Sequence, residues 1–201
     1  GDDDDRGNNN RGNRSKRSDN SSDTATCMDS GLVLNSGSYK NLELSKGDRR
    51  DSTTLYLSGG VYSFDSITME EYSSIVALDS SLILVATNME SDKGASIVPA
   101  DNGNEGIEII VMIDGQDVIS SRRGDDDDDD DDDERDGRDK KQNLKIKHFA
   151  VSLDRENVIF ATIYAANGSI ELGKRSLVEG ALIAENIDIG EEVIIRFDGD
   201  I

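Results

Sequence analysis

Apolar and polar residues alternate in short runs along most of this chain. Leu32-Val-Leu34, Leu42-Glu-Leu44, Leu55-Tyr-Leu57, Val61-Tyr-Ser-Phe64 and Ile67-Thr-Met69 each have the period of a strand. The pattern predicts further strands over 75–78, 82–86 and 107–113, with Gly, Ser, Asn or Asp punctuating the ends. No window carries the apolar spacing of an amphipathic helix, and Glu70-Glu71 lies in a segment too short to form one.

The pattern is most regular after residue 150. Val151-Ser-Leu153-Asp154, Ile170-Glu-Leu172-Gly173 and Ile187-Asp-Ile189-Gly190 share one apolar-polar-apolar form, 19 and 17 residues apart. Each is followed by a second apolar patch, at 158–160, 177–178 and 193–195. A repeat of this length built from tiny strands predicts a short β-solenoid, resembling a parallel β-helix. In such a coil each rung is one turn, alternate residues point inward onto their equivalents, and Gly or Asn takes the corners. Over 27–121 the repeat is blurred, and an all-β sandwich is the alternative there.

Two stretches interrupt this all-β pattern. Residues 1–26 are a low-complexity charged tail in which Asp2–Asp5 is answered by Arg6, Arg11, Arg14, Lys16 and Arg17. Residues 122–142 hold nine consecutive aspartates, Asp125–Asp133, flanked by arginines and lysines. No sheet buries nine adjacent carboxylates, so this segment must leave the fold for water, cations or another chain. The expected organisation is a tail, a β-rich half over 27–121, the insertion, and solenoid rungs over 143–201.

The formal charge of -21 repels nucleic acid and anionic lipid, and attracts divalent cations, basic partners or high salt. Salt adaptation explains scattered acidity but not one block of nine. No apolar run reaches the roughly 18 residues of a membrane span, and no secretion signal is evident. Hydrophobic residues make up 34% and aromatics 4%, with no Trp. The aliphatic residues that remain are mostly β-branched or Leu, which suit strands.

Candidate chemistry is sparse. Adjacent carboxylates share divalent ions, so Asp125, Asp127, Asp129, Asp130, Asp132, Glu134 and Asp136 are a candidate Ca²⁺ site. The 132–137 spacing starts like a calcium loop, but Asn143 stands where the closing acid belongs, leaving weak multi-ion binding or pairing with arginines. Cys27 has no internal disulfide partner and reads as a small buried residue or as a thiol bonding between subunits. His148, the single histidine, lacks partners for a transition-metal site and has no nucleophile elbow to serve. Glu171 and Asp188 occupy matching repeat positions, as paired carboxylates of a β-helix carbohydrate enzyme would, or simply as a solvated face. No catalytic residue is assigned. Asn20 and Asn167 begin Asn-x-Ser triplets and are candidate glycosylation sites, with Asn167 expected at an exposed corner.

Residues 55–69 (Leu-Tyr-Leu-Ser-Gly-Gly-Val-Tyr-Ser-Phe-Asp-Ser-Ile-Thr-Met) and 162–190 (opening Thr-Ile-Tyr-Ala-Ala-Asn-Gly and closing Gly-Ala-Leu-Ile-Ala-Glu-Asn-Ile-Asp-Ile-Gly) carry a resemblance. They resemble an uncharacterised β-helical domain of archaeal and bacterial surface proteins, often found beside pilin-like segments. The likeness spans about 55–90 and 143–197, and Ala166 departs from that family's proline. It implies an extracellular or cell-surface location and transfers no catalytic residue. The last rung runs nearly to the final residue, and an uncapped coil presents unpaired backbone and an apolar cross-section. A non-enzymatic homopolymeric filament is therefore expected, with acidic segments binding calcium or bridging subunits. The alternatives are a monomeric adhesin or pilus-associated module meeting other surface proteins or glycans, and a carbohydrate-active enzyme.

Overall fold

The computed structural model describes residues 25–27, 31–100, 106–115, 118–120 and 145–197. The chain runs through β1 (Ala25–Cys27), β2 (Leu32–Leu34), β3 (Gly37–Ser38), β4 (Asn41–Leu44), β5 (Thr53–Leu57) and β6 (Gly60–Met69). It continues through β7 (Ser73–Ala77), β8 (Ser81–Ser91), β9 (Ser96–Pro99), β10 (Ile109–Ile113), β11 (Val118–Ser120) and β12 (Lys145–His148). The last six are β13 (Val151–Leu153), β14 (Val158–Phe160), β15 (Thr162–Leu172), β16 (Leu177–Glu179), β17 (Leu182–Ile189) and β18 (Ile194–Arg196). The fold is all-β, with no helix among the described residues.

Two large sheets hold nearly all of these strands, and every pairing within them is parallel. The seven-stranded sheet has the order β18-β16-β14-β9-β7-β5-β2, and the nine-stranded sheet takes the strands between them in sequence. The chain thus passes from one sheet to the other and back, laying each strand beside its predecessor in the same sheet. Only β11 and β12 pair antiparallel, as a separate ribbon. An antiparallel Greek-key sandwich has no such parallel ladders.

Parallel registry stacks equivalent side chains about 4.8 Å apart, so each inward position becomes a column. One column runs Leu42, Ile67, Met89, Val151, Ile170, all buried. The three-part repeat of the sequence is part of this registry, since Val151 pairs with Ile170 and Ile170 with Ile187. The inward residues of both sheets form one apolar core. Each fully buried Leu or Ile in it contributes about 1.5–3 kcal/mol. Tyr62 is fully buried yet keeps its hydroxyl satisfied, donating toward the carbonyl oxygens of Leu34 (3.1 Å) and Gly59 (3.2 Å).

Each long strand of the nine-stranded sheet bends midway. One residue lies between the paired stretches at Asp65, two at Ala86-Thr87, three at 166–168 and one at Glu185. At one level the bend holds residues 114–150. There β10 and β13 lie end to end between β8 and β15: β8 pairs with β10 through Ser81–Val85 and with β13 through Met89–Ser91. Strand β15 pairs with the same two on the other side. The described chain therefore ends β10 and resumes at β13 within a single level, with the aspartate-rich insertion falling between them in the sequence. The sheet is continuous across it, and the N-terminal part stacks in the same way as the C-terminal part.

Several strand bounds differ from the pattern reading. Residues 61–64 and 67–69 belong to one strand, β6, because inward alternation slips phase at the Asp65 bend. The run at 82–86 extends to Ser91 through its own bend. Ser96–Pro99 is an additional strand, and the run at 107–113 begins as a strand only at Ile109.

Candidate functional site

Leaving the nine-stranded sheet, the chain turns toward the seven-stranded one, and these turns also stack. The N–H of Gly47 donates to Glu71 O, Tyr72 to Lys93 O, Gly94 to Arg155 O, Glu156 to Lys174 O, and Arg175 to Glu191 O, at 2.8–3.1 Å. From Tyr72 onward the turn holds a left-handed residue at each level, with φ of 56° at Tyr72, 71° at Gly94, 61° at Glu156 and 60° at Arg175 and Glu192. Glycine takes this conformation at least cost. Gly94 is also required by space, since an added Cβ would sit 2.7 Å from the Tyr72 ring. At the other levels large side chains stand where glycine would be cheaper.

These turns gather the positive charge of the fold. Of the lysines and arginines whose side chains are described, only Lys40 and Arg196 lie elsewhere. Glu156 sits among three cations: Arg175 at 3.2 Å, Lys93 at 3.4 Å and Arg49 at 3.6 Å. Lys46 pairs with Glu71 (2.6 Å) and Lys174 with Glu191 (2.7 Å). The hydrogen bond from Arg49 to the Tyr72 hydroxyl (3.1 Å) holds that phenol below its ordinary pKa, and Lys46 does the same for the Glu71 carboxyl.

One residue earlier in each turn stand carboxylates, Glu70, Asp92 and Asp154. Asp92 and Asp154, with Glu90 and Glu171 on the adjoining sheet face, surround a hollow of about 260 Å³ that also touches Phe149. Partial burial, then the charges of Asp154, Glu70, Glu71 and Glu90, raise the pKa of Asp92. Glu171 accepts a hydrogen bond from the Ser152 hydroxyl (3.3 Å) and lies in register with Asp188, as their matching repeat positions predict. Among the described residues no group of His, Cys, Asp or Glu is arranged to hold a metal ion.

A second concavity, about 400 Å³, opens on the outer face of the nine-stranded sheet. Leu84, Met112 and Tyr164 form its floor, adjacent in register. Asp114 and Asn167 stand at its rim, where the Asn167 amide donates to the Asp114 carboxylate (3.1 Å). Asn167 is exposed at the bend.

The stack's ends are open among the described residues. In the seven-stranded sheet one inward column runs Leu32, Leu55, Ile75, Ile97, Ile159, Val178, Ile195. Its five central members are fully buried, whereas Leu32 is 46% and Ile195 43% exposed. At the β17–β18 end Ile187 and Ile189 are likewise exposed, though their equivalents one level up are buried.

The candidate metal residues Asp125, Asp127, Asp129, Asp130, Asp132, Glu134 and Asp136, and Asn20, lie outside the described residues. Cys27 is in register with Leu44, and His148 ends β12 opposite Val118. The charged turns went unassigned in the sequence although a signal existed. Glu70-Glu71-Tyr72 and Asp154-Arg155-Glu156 each follow an apolar-polar-apolar run, and Asp92-Lys93-Gly94 follows the related Met89-Glu90-Ser91. No known protein family, curated protein or solved structure matches the chain.

Proposed function

We propose that this chain is a non-enzymatic structural protein of the cell surface or extracellular space that builds homopolymers by stacking end to end. In this reading the two sheets are the walls of one β-solenoid, continued from copy to copy. The acidic segments add an ionic contact, directly or through calcium. The observation that carries it is the column from Leu32 to Ile195, buried at every inner level and, among the described residues, open at both ends. Exposed parallel edges present unpaired N–H and C=O groups that template a further strand. Because the strands within each sheet all run the same way, a copy translated along the stack offers β2 to β18 as each strand offers itself to the next. Such a contact is heterologous and propagates.

The groove at Leu84, Met112 and Tyr164, with a carboxylate and an amide at its rim, favours a second reading, a monomeric surface module that binds a ligand there.

One experiment separates these. The purified chain and the edge variant I187K/I195K are compared by sedimentation and negative-stain microscopy, with and without a chelator. Filaments from the chain and dispersed particles from the folded variant are expected, and shortening on chelation assigns calcium a part. Dispersed monomers from the unmodified chain at every concentration sink the filament reading.

A further inference from the structure

We propose that the concavity over Leu84, Met112 and Tyr164 is a saccharide-binding site, which takes a neutral sugar ring laid flat on Tyr164 with its hydroxyls turned to Asp114 and Asn167. This gives a ligand class to the groove of the second reading above. It holds for single copies and filaments alike, because the groove lies on an outer sheet face between the two ends of the stack.

The bend in the long strands creates the site. On its N-terminal side, alternation turns Leu84, Met112, Tyr164 and Ile183 outward in one row, each in register with the next. On its C-terminal side the outward row is Glu43, Thr68, Glu90, Ser152, Glu171 and Asp188. One outer face is therefore apolar up to the bend and acidic beyond it. Met112, Tyr164 and Ile183 are exposed, in a chain of which 32% is charged, and an uncharged exposed row of this kind marks a contact surface.

The lining selects the ligand. A hollow of about 400 Å³ falls in the range of small-ligand sites, about 300–1,000 Å³. Among the described residues that line it, Asp114 alone is charged and none is a cation. An anionic ligand finds nothing to pair with there and is repelled by the chain's net charge of -21. A cationic ligand meets one exposed carboxylate, a contact that water and salt weaken to little. A wholly apolar ligand strips water from the Asp114 carboxylate and the Asn167 amide and returns no hydrogen bond. A sugar ring has an apolar C–H face for Tyr164 and hydroxyls at its edge that both donate and accept. Asp114 only accepts, and the Asn167 amide keeps a second N–H and its carbonyl oxygen beyond the hydrogen donated to Asp114 at 3.1 Å. The apolar row runs on to Ile183, about 14 Å at about 4.8 Å per level, so linked rings fit along the stack.

The test is saturation-transfer difference NMR on the full chain, produced in a bacterial cytoplasm so that Asn167 carries no glycan. Cellobiose, maltose and N,N′-diacetylchitobiose are the neutral probes. Glucuronate, tetramethylammonium and adenosine are the anionic, cationic and planar aromatic counter-probes, each at up to about 10 mM. At least one neutral disaccharide is expected to bind, and more tightly than every counter-probe. Y164A should weaken that binding by about threefold to tenfold, and D114A by several-fold. Y56A, on a strand of the other sheet, is the control and should leave it unchanged. Absence of binding by all three disaccharides, tighter binding of a counter-probe, unchanged affinity in folded Y164A, or equal loss in Y56A overturns the site. If Y164A does not fold, Y164L takes its place, since it keeps an apolar side chain on the strand and removes the flat ring. The same loss is expected, and unchanged affinity overturns the site. Sedimentation of the same samples reads assembly separately, so failure of sugar binding is distinct from failure of either reading above.

Discussion

Ile97 and Ile195 occupy the same column of the seven-stranded sheet and differ in whether another level covers them. Ile97→Ala opens a cavity between two full levels and should cost about 2–5 kcal/mol. Ile195→Ala, at a position already 43% exposed, should cost under about 1 kcal/mol in the dispersed chain. Chemical denaturation of the two variants measures the difference, and equal losses would contradict the open end. Asp92 gives a pH-dependent contrast. Its carboxyl pKa lies above the ordinary 3.8, through partial burial and neighbouring negative charge. The folded chain therefore holds this proton longer than the unfolded chain does. The resulting stabilisation is complete below the unfolded pKa and is lost as pH rises through the folded value. Asp92→Asn should raise the melting temperature at neutral pH, with the gain vanishing as pH falls below 3.8. Melting curves at several pH values test this. At this scale the sequence was informative wherever the chemistry repeated. Val151, Ile170 and Ile187 share type and spacing and pair in register. The turn positions hold Tyr72, Gly94, Glu156 and Arg175, which share a backbone conformation and no side-chain identity, so composition concealed them.

Among the elements, the bend in each long strand explains why pattern reading divided β6 and shortened β8. Alternation is a reliable guide only while the backbone keeps its two-residue phase. The one residue at Asp65 shifts that phase, from Tyr62 and Phe64 to Ile67 and Met69, whereas the two at Ala86-Thr87 keep it, with Val85 and Met89 both inward, and break the run with exposed positions. The varying number of bend residues also blurs the repeat across the N-terminal part, where strand equivalents are the same but their spacing drifts. The level containing β10 and β13 is the extreme case. Since its pairings with β8 and β15 involve only Ile109–Ile113 and Val151–Leu153, the excursion between them adds nothing to the ladder. Removing Asp125–Asp133 changes only loop-closure entropy, by a few tenths of a kcal/mol. The deletion variant should melt within about 2 °C of the full chain. A large drop would mean that the tract supports the fold.

For the whole molecule, parallel sheets make the two ends unlike yet matched in direction. Association that covers Leu32 and Ile195 links stability to concentration, because only the folded form has edges to cover. The melting temperature of the unmodified chain should rise with protein concentration, and that of I187K/I195K should stay constant. A flat profile for both would separate the molecule's stability from any neighbour. The midway bend has a consequence of another kind. It takes one residue at Asp65, two at Ala86-Thr87 and 37 at 114–150 without disturbing the columns on either side. Such a bend is a grafting port. Foreign loops spliced there would be carried along one face of the stack, so new surface chemistry can be acquired by lengthening a single hinge while the interior residues keep their neighbours.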